Sequence, residues 1–334
     1  MKNRRGSTSK GLLIGLAVVV GAALVGGAYG YLGRLSQRGN QKLERSYQYD
    51  DTAIRRVDPK LIKYAQVKQV PTGMAVPAGI AIDREGRLIV AGDKQVRVMD
   101  EQGRVVRTIE LADRPTCVAA GTHGTHGTHG THGTIWVGYV GRVDLHPAVE
   151  AAPTATIELP AGAYVTSIAA DGENVWVADA GRKLVLRCDT SGVKQELRGQ
   201  DGLLVPSPHL DVAMQGDLVW VANPGKWRLE AYTRDGKPSR SFGKMGTDAA
   251  GFVGCCNPSD FAILPDGKIV TSEKGAARVK VFDAHAALES VVADATLLGD
   301  IQGAMDVAVD PAGRVYVLDT LTKSVRIFER RNEP

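Results

Sequence analysis

One short pattern of strand-like segments recurs along most of the chain. Each copy has an apolar run, a turn rich in Asp and Gly, and a second apolar run. The clear copies are residues 79–83 with 87–91, 167–171 with 174–178, 211–214 with 218–222, 260–263 with 268–271, and 306–310 with 314–318. A weaker copy pairs residues 117–120 with 134–138. The copies are spaced roughly 40 to 50 residues apart, so the chain is an array of similar units.

Each unit has the signature of β-strands. Residues 278–282 and 324–328 alternate apolar and polar side chains with a period of two, and Asp-Gly turns supply the positive φ of tight hairpins. The last unit ends near Phe328 without a fourth strand, and the alternating residues 61–70 would supply it and join the chain ends. The sequence therefore predicts an all-β, six-bladed β-propeller over residues 61–330. Its blades are expected to start near residues 76, 116, 166, 210, 258 and 305.

The repeat resembles the NHL repeat. The shared pattern is apolar-Ala-apolar-Asp, a turn with Gly, apolar-Tyr/Trp-Val-Ala-Asp, and then Arg/Lys-apolar-x-apolar-Phe. It covers residues 61–330, and every unit except the second matches well. The resemblance implies a six-bladed propeller and, in many members, a binding role. It does not imply one activity, because a fold hosts many functions.

The N-terminus carries a long apolar segment. Residues 11–33 contain no charged side chain and exceed the roughly 20 residues that cross a bilayer. The basic residues of segment 1–10 place that tail in the cytoplasm. We therefore expect a transmembrane signal anchor at 11–33, a polar stalk at 34–60, and the propeller on the extracytoplasmic side, periplasmic or extracellular. A cleaved signal peptide is the alternative.

The charge of the chain excludes one class of partner. The formal net charge is only +4, and no basic stripe with interleaved aromatic residues is present. We therefore expect no nucleic-acid partner. The expected contacts are with the membrane, through residues 11–33, and with a protein or small ligand.

Alignment of the six units predicts two rings of side chains at one end of the central channel. The inner ring contains Gly79, Cys117, Ser167, Asp211, Asp260 and Asp306, and the outer ring contains Asp93, Tyr139, Asp179, Asn223, Glu273 and Asp319. The three inner carboxylates could bind a hard cation such as Ca²⁺. Alternatively, each accepts a backbone hydrogen bond from the neighbouring blade. Repetition of Asp at one position favours the second interpretation.

Two adjacent cysteines, Cys255 and Cys256, enter the fifth blade at the same end of the channel. His209 and Cys117 are expected close to them, with Asp260 nearby. Three interpretations remain open: a vicinal disulfide or structural role, a soft-metal or cofactor site, and redox-active thiols. Adjacent cysteines do not suit one tetrahedral metal.

A Gly-Thr-His unit is repeated four times between residues 121 and 133. Its histidines, His123, His126, His129 and His132, would bind transition metals adventitiously. Gly and Thr give them no fixed geometry, so we interpret the segment as a low-complexity insertion. By contrast, Trp136, Trp176 and Trp220 occupy the same position in three units and are expected in the core.

Three functions follow from these patterns. The favoured one is a membrane-anchored binding or scaffold propeller outside the cytoplasm, without catalysis. The second is an accessory of an exported redox or metal system that uses Cys255 and Cys256. The third, which the resemblance to related six-bladed propellers implies, is a metal-dependent lactonase or lyase-like hydrolase. The cofactor is unknown, and a metal ion is the alternative that these residues leave open.

Overall fold

The computed structural model describes residues 52–121, 133–147, 152–171, 174–299, 301 and 303–331. The expected tail at 1–10, the anchor at 11–33, most of the stalk and the four histidines of the Gly-Thr-His insertion lie outside these residues. In the part of the chain that is described, no helix is long and apolar enough to cross a membrane.

The described residues form six four-stranded antiparallel sheets. In chain order the strands are β1 (Tyr64–Pro71); β2 (Pro77–Ile82), β3 (Leu88–Gly92), β4 (Gln95–Met99) and β5 (Val105–Glu110); β6 (Cys117–Ala120), β7 (Ile135–Gly138), β8 (Arg142–His146) and β9 (Ala155–Glu158); β10 (Val165–Asp171), β11 (Asn174–Asp179), β12 (Leu184–Asp189) and β13 (Gly192–Leu197); β14 (Val212–Gln215), β15 (Leu218–Asn223), β16 (Arg228–Thr233) and β17 (Pro238–Phe242); β18 (Asp260–Ile263), β19 (Ile269–Glu273), β20 (Arg278–Phe282) and β21 (Leu288–Ala293); and β22 (Val307–Val309), β23 (Val315–Asp319) and β24 (Ser324–Arg330). This is the predicted all-β, six-bladed propeller.

Short helical turns interrupt the connections between strands. They are α1 (Thr52–Arg55), α2 (Ala295–Leu298) and two 3-10 turns, Pro59–Leu61 and Pro224–Lys226. The N-cap of α2 is Asp294, whose side chain accepts a hydrogen bond from the Thr296 backbone N–H.

The sixth blade is closed by the start of the propeller. Its sheet order is β22, β23, β24 and then β1, which runs antiparallel to β24 with Tyr64 opposite Arg330 and Pro71 opposite Ser324. The expectation that residues 61–70 supply the missing strand is therefore confirmed. The pairing covers an edge that would otherwise expose unpaired backbone groups.

The apolar core lies between neighbouring blades. Six buried clusters are present in the described residues, and each combines side chains from two successive blades, the last of them from the sixth and first. Trp176 and Trp220 are almost fully buried, and Trp136 is 7% exposed, so all three lie in the core as predicted. Because every interface is apolar, the blades stabilise one another around the ring.

One end of the ring carries two kinds of loop. The start of each inner strand lies beside the end of the second strand, as Pro77 lies opposite Gly92. The loops that enter the inner strands and the turns between second and third strands therefore share one face, which we call the mouth face. Residues 55–57 lie there as well, since Arg55 donates to the Gly299 carbonyl at 3.2 Å and Val57 N–H donates to Asp294 at 3.0 Å.

Candidate functional site at the channel mouth

A central channel of about 300 Å³ runs along the inner strands of all six blades. Cys117, Asp211, Asp260 and Asp306 line it, as the alignment of the repeats predicted. A ligand on the propeller axis would lie in this channel. The hydrogen bonds and protonation of these four side chains therefore decide what the channel can bind.

Each of the three channel carboxylates is hydrogen-bonded to the backbone of the next blade. The bonds run from Phe261 N–H to Asp211 Oδ2 (2.7 Å), from Val307 N–H to Asp260 Oδ1 (2.9 Å), and from Ile80 N–H to Asp306 Oδ2 (2.7 Å). In the third blade Ser167 takes the same place, because its Oγ accepts from Val212 N–H at 3.3 Å. The structure thus favours the second interpretation of the inner ring, in which the aspartates link blades.

The channel carboxyls also hold their protons unusually strongly. Burial raises the pKa of Asp211 to about 6 and the pKa of Asp306 to about 8. The pKa of Asp260 is well above its usual value, because burial and then the charges of Asp211 and Asp306 disfavour its ionised form. The protonated form of Asp306 therefore predominates at pH 7, and burial favours the protonated form of Asp260 as well.

The predicted metal-ligand set does not converge. Among the residues that the structure describes, no three His, Cys, Asp or Glu side chains are placed to hold a metal ion. Cys117 lies with the channel carboxyls, and burial together with Asp306 and Asp211 raises the pKa of its thiol. His209 instead lies near Lys274, where burial and that positive charge lower its pKa to about 4. Among the described residues, the donor groups predicted from sequence therefore do not converge on one metal ion.

The cysteine pair lies in the loop that enters the fifth blade. Cys255 is exposed, Cys256 is half-buried, and their two Sγ atoms are 3.4 Å apart as free thiols. The Cys256 thiol raises the pKa of Cys255, and the positive charge of Lys274 opposes this effect; the same charge acts on His209. The predicted cluster is therefore divided: Cys255 and Cys256 share the surroundings of Lys274 with His209, whereas Cys117 lies inside the channel.

The outer ring fixes the loops of the mouth face. Five of its side chains each accept a hydrogen bond from a backbone N–H of a mouth-face loop. The pairs, with the acceptor first, are Asp93 and Val76 (2.8 Å), Asp179 and Tyr164 (2.9 Å), Asn223 and Leu204 (2.9 Å), Glu273 and Val253 (3.1 Å), and Asp319 and Leu321 (3.0 Å). In the second blade Tyr139 differs, because it stacks under Arg142 at 4.1 Å. This ring thus sets the loop geometry around the channel.

A set of exposed apolar side chains surrounds the channel mouth. Seven of the ten large hydrophobic residues that are exposed in the described part of the chain lie in mouth-face loops, with exposed fractions between 37% and 66%. We call them the apolar rim: Val76, Val140, Tyr164, Leu204, Met245, Leu297 and Leu321. Val140 and Tyr164 form a β-bridge, so neighbouring blades contribute to one surface. The rim was missed in the sequence because each residue comes from a different loop.

Comparison with known proteins supports the fold. Residues 43–127 match the family model described as the SMP-30/gluconolactonase/LRE-like region, which spans the first blade and the start of the second. No curated protein matches the chain. Among solved structures, the chain is similar to a protein of unknown function from Bacteroides thetaiotaomicron, with 14% identity, 80% of this chain and 76% of that chain covered, and a TM-score of 0.60.

Two further solved structures show the same architecture. The WD40 β-propeller domain of Doa1 is 14% identical over 77% of this chain and 79% of that chain, with a TM-score of 0.54. A streptogramin B lyase is 12% identical over 80% of this chain and 98% of that chain, with a TM-score of 0.52. At these identities the likeness is one of fold.

Proposed function

We propose that this chain is a membrane-tethered, extracytoplasmic binding propeller that takes a protein partner on its mouth face. The observation that carries the proposal is the apolar rim. Exposed apolar side chains gathered on one face are typical of protein-interaction sites, because their burial against a partner is favourable. Loops held on a rigid scaffold are also where binding residues concentrate.

The rim is held in place before any partner arrives. Four of its members, Val76, Tyr164, Leu204 and Leu321, have their own backbone N–H groups bound by outer-ring side chains. A surface fixed in this way loses less conformational entropy on binding than a set of free loops. The outer ring therefore supports a binding role for the mouth face.

The state of the channel supports binding rather than catalysis. Asp211, Asp260 and Asp306 are each engaged with a backbone N–H of the next blade. A general acid or base must reach the reacting group, and one oxygen of each of these carboxyls is already engaged in linking two blades.

The tether rests on the apolar segment 11–33. We expect the full chain to stay in the membrane fraction after alkaline carbonate washing, and deletion of residues 1–33 to move the propeller into the soluble fraction. The mass of the mature chain distinguishes the alternatives, since a cleaved signal peptide would remove the segment. Extraction of the intact chain by carbonate would contradict the tether.

The binding role is tested by co-purification from the membrane fraction of the producing cells. Met245→Asp with Leu321→Asp places charge on two of the most exposed rim residues, and Val105→Asp with Val106→Asp does the same on the outer strand β5. The wild type and the β5 variant are expected to retain a stoichiometric protein partner that the rim variant loses. Equal retention by all three would exclude the mouth face as the binding surface.

A lactone hydrolase is the second candidate, supported by the family match over residues 43–127. The donor groups predicted from sequence do not converge on one metal ion among the described residues, which is why this function is not our first. Lactone hydrolysis by the purified chain that is lost in Asp260→Asn, while the variant still unfolds at the wild-type temperature, would replace the binding role.

A further inference from the structure

The chain contains one pair of accessible thiols. Cys255 and Cys256 lie on the mouth face with their sulfurs 3.4 Å apart. The other two cysteines are buried, and burial raises the pKa of Cys188 to about 12 and raises that of Cys117 as well. The neighbouring Cys256 thiol raises the pKa of Cys255 as well, so accessibility is what distinguishes the pair. Because an external reagent must reach the sulfur, the accessible thiols of the described propeller are confined to Cys255 and Cys256.

The backbone just before the pair is fixed by buried charges. The Gly251 carbonyl accepts from Lys280 Nζ at 2.8 Å and from Arg278 Nη2 at 3.2 Å. Glu273 joins these two cations, at 2.7 Å from Lys280 and 2.9 Å from Arg278, and also accepts from Val253 N–H at 3.1 Å. All three charged side chains are almost fully excluded from water.

The backbone just after the pair is fixed by Asn257. Its Oδ1 accepts from Lys274 N–H at 2.7 Å, and its Nδ2 donates to the Lys274 carbonyl at 3.0 Å. Between the two anchors, the Trp227 indole N–H donates to the Gly254 carbonyl, directly before Cys255. The two thiols are thus held side by side at the surface while the chain on either side of them is pinned.

The buried ion cluster has no obvious stabilising purpose. Desolvating three charged groups offsets most of their mutual attraction, so a buried ion pair is a weak source of stability. What Glu273, Arg278 and Lys280 do here is to hold the loop from Gly251 to Val253, and with it the cysteine pair. The arrangement therefore positions thiols, as sites of defined chemistry require.

We propose that Cys255 and Cys256 form a thiol–disulfide exchange site for an external small-molecule disulfide of the glutathione kind. One cysteine thiolate attacks a sulfur of the external disulfide; that S–S bond breaks and the first external thiol leaves with its electron pair. The second cysteine thiolate then attacks the mixed disulfide, so the Cys255–Cys256 bond forms and the second external thiol leaves. The pair loses two electrons and two protons, which reduce the external disulfide to two thiols.

The geometry suits a reversible reaction. The two sulfurs must approach from 3.4 Å to about 2.05 Å, a short movement for side chains on adjacent residues. A disulfide between adjacent, exposed residues is strained and therefore easily reduced again. A metal would need further ligands, and no third donor converges on the pair among the described residues.

The test uses the full chain in detergent, incubated with oxidised glutathione and then analysed by differential alkylation and mass spectrometry. In the wild type we expect an internal Cys255–Cys256 disulfide with little glutathione attached, fully reversed by reduced glutathione. In Cys256→Ser and Cys255→Ser the remaining cysteine has no resolving partner, so we expect at least about tenfold more stable glutathione adduct. Cys188→Ser, at a buried thiol, should behave as wild type.

Two results would overturn the proposal. Glutathione adducts on both cysteines of the wild type, at the level of the single variants, would mean independent surface thiols. An absence of reaction in the wild type and both variants would mean that the pair does not exchange. Neither result bears on the partner retained by the apolar rim, because that measurement is made separately on rim variants with both cysteines intact.

Discussion

The side-chain carboxyl of Asp306 in the last blade accepts a 2.7 Å hydrogen bond from the backbone N–H of Ile80 in the first blade, 226 residues earlier in the chain. This bond crosses the seam between the blades on the channel side. On the outer side the same seam is closed by β1 pairing with β24. The ring is therefore held at both its inner and outer circumference.

Removal of the inner link is expected to weaken the whole propeller. Asp306→Ala leaves the Ile80 N–H buried without an acceptor, which costs about 1–3 kcal/mol of unfolding free energy. Asp306→Asn keeps a carbonyl oxygen at the site and should lose less. Urea unfolding measures the difference, with Asp217→Ala, whose side chain is 96% exposed, as the control. Equal stability of Asp306→Ala and the control would contradict the structural role.

The raised pKa of Asp306 predicts a pH dependence of stability. Its folded pKa of about 8 lies above its value in the unfolded chain, so the folded state holds more protons and its stability falls as pH rises from about 4 to about 8. The lowered pKa of His209, about 4, has the opposite effect between about 4 and 6.5. Between pH 6.5 and 8 the effect of Asp306 on stability is therefore free of the opposing effect of His209.

In that window the melting temperature of the wild type should fall by roughly 2–4 °C per pH unit. Asp306→Asn removes one titrating group and should show a smaller slope, while Asp260 still contributes. Thermal melts at several pH values provide the measurement. A melting temperature that rises through this window in the wild type would refute the assignment.

The closing strand offers a matched pair of substitutions. Val70 and Val67 both lie on β1, but Val70 is 4% exposed against the core and Val67 is 51% exposed. Val70→Asp buries a charge at the seam and is expected to lower the unfolding free energy by several kcal/mol, whereas Val67→Asp should change it by about 0.5 kcal/mol or less. Similar losses for both would mean that β1 does not close the ring.

The buried charges beside the cysteine pair make a further prediction. Glu273→Gln leaves Arg278 and Lys280 buried without their carboxylate, so we expect a loss of about 3–5 kcal/mol. The loop that they pin should also loosen, which would change the alkylation rate of Cys255 and Cys256 in the folded protein. Glu85→Gln, at a partly exposed ion pair with Arg87, is the control. An unchanged alkylation rate in Glu273→Gln would show that the ion cluster does not hold the cysteine loop in place.

The architecture was predictable from the sequence because each repeat has the strand pattern of one propeller blade. Residues such as Trp176 and Trp220 recur at one position, and the period of the copies matches a propeller blade. Even the closure by residues 61–70 followed, since the last unit lacked a strand. These features are local sequence patterns, and the prediction is strong because several copies show the same pattern.

The site was less predictable, because it depends on which loops meet in space. The alignment placed Asp211, Asp260 and Asp306 on one ring, but whether they faced a ligand or the next blade depended on hydrogen bonds to distant residues such as Ile80. The burial of Lys280 was also missed, since a charged residue on an alternating strand is normally expected in water. The apolar rim could not be recognised in the sequence, because each loop contributes only one exposed apolar residue to it.

The most direct test of the binding propeller is site-specific photo-crosslinking in the producing cells. A photoreactive residue is placed at Tyr164 or Met245 of the apolar rim, and at Val67 or Val105 on the outer strands as controls with comparable exposure. We predict that both rim positions cross-link to the same discrete protein and that the outer positions do not. Cross-links of equal yield from both sets, or none from the rim, would contradict the account.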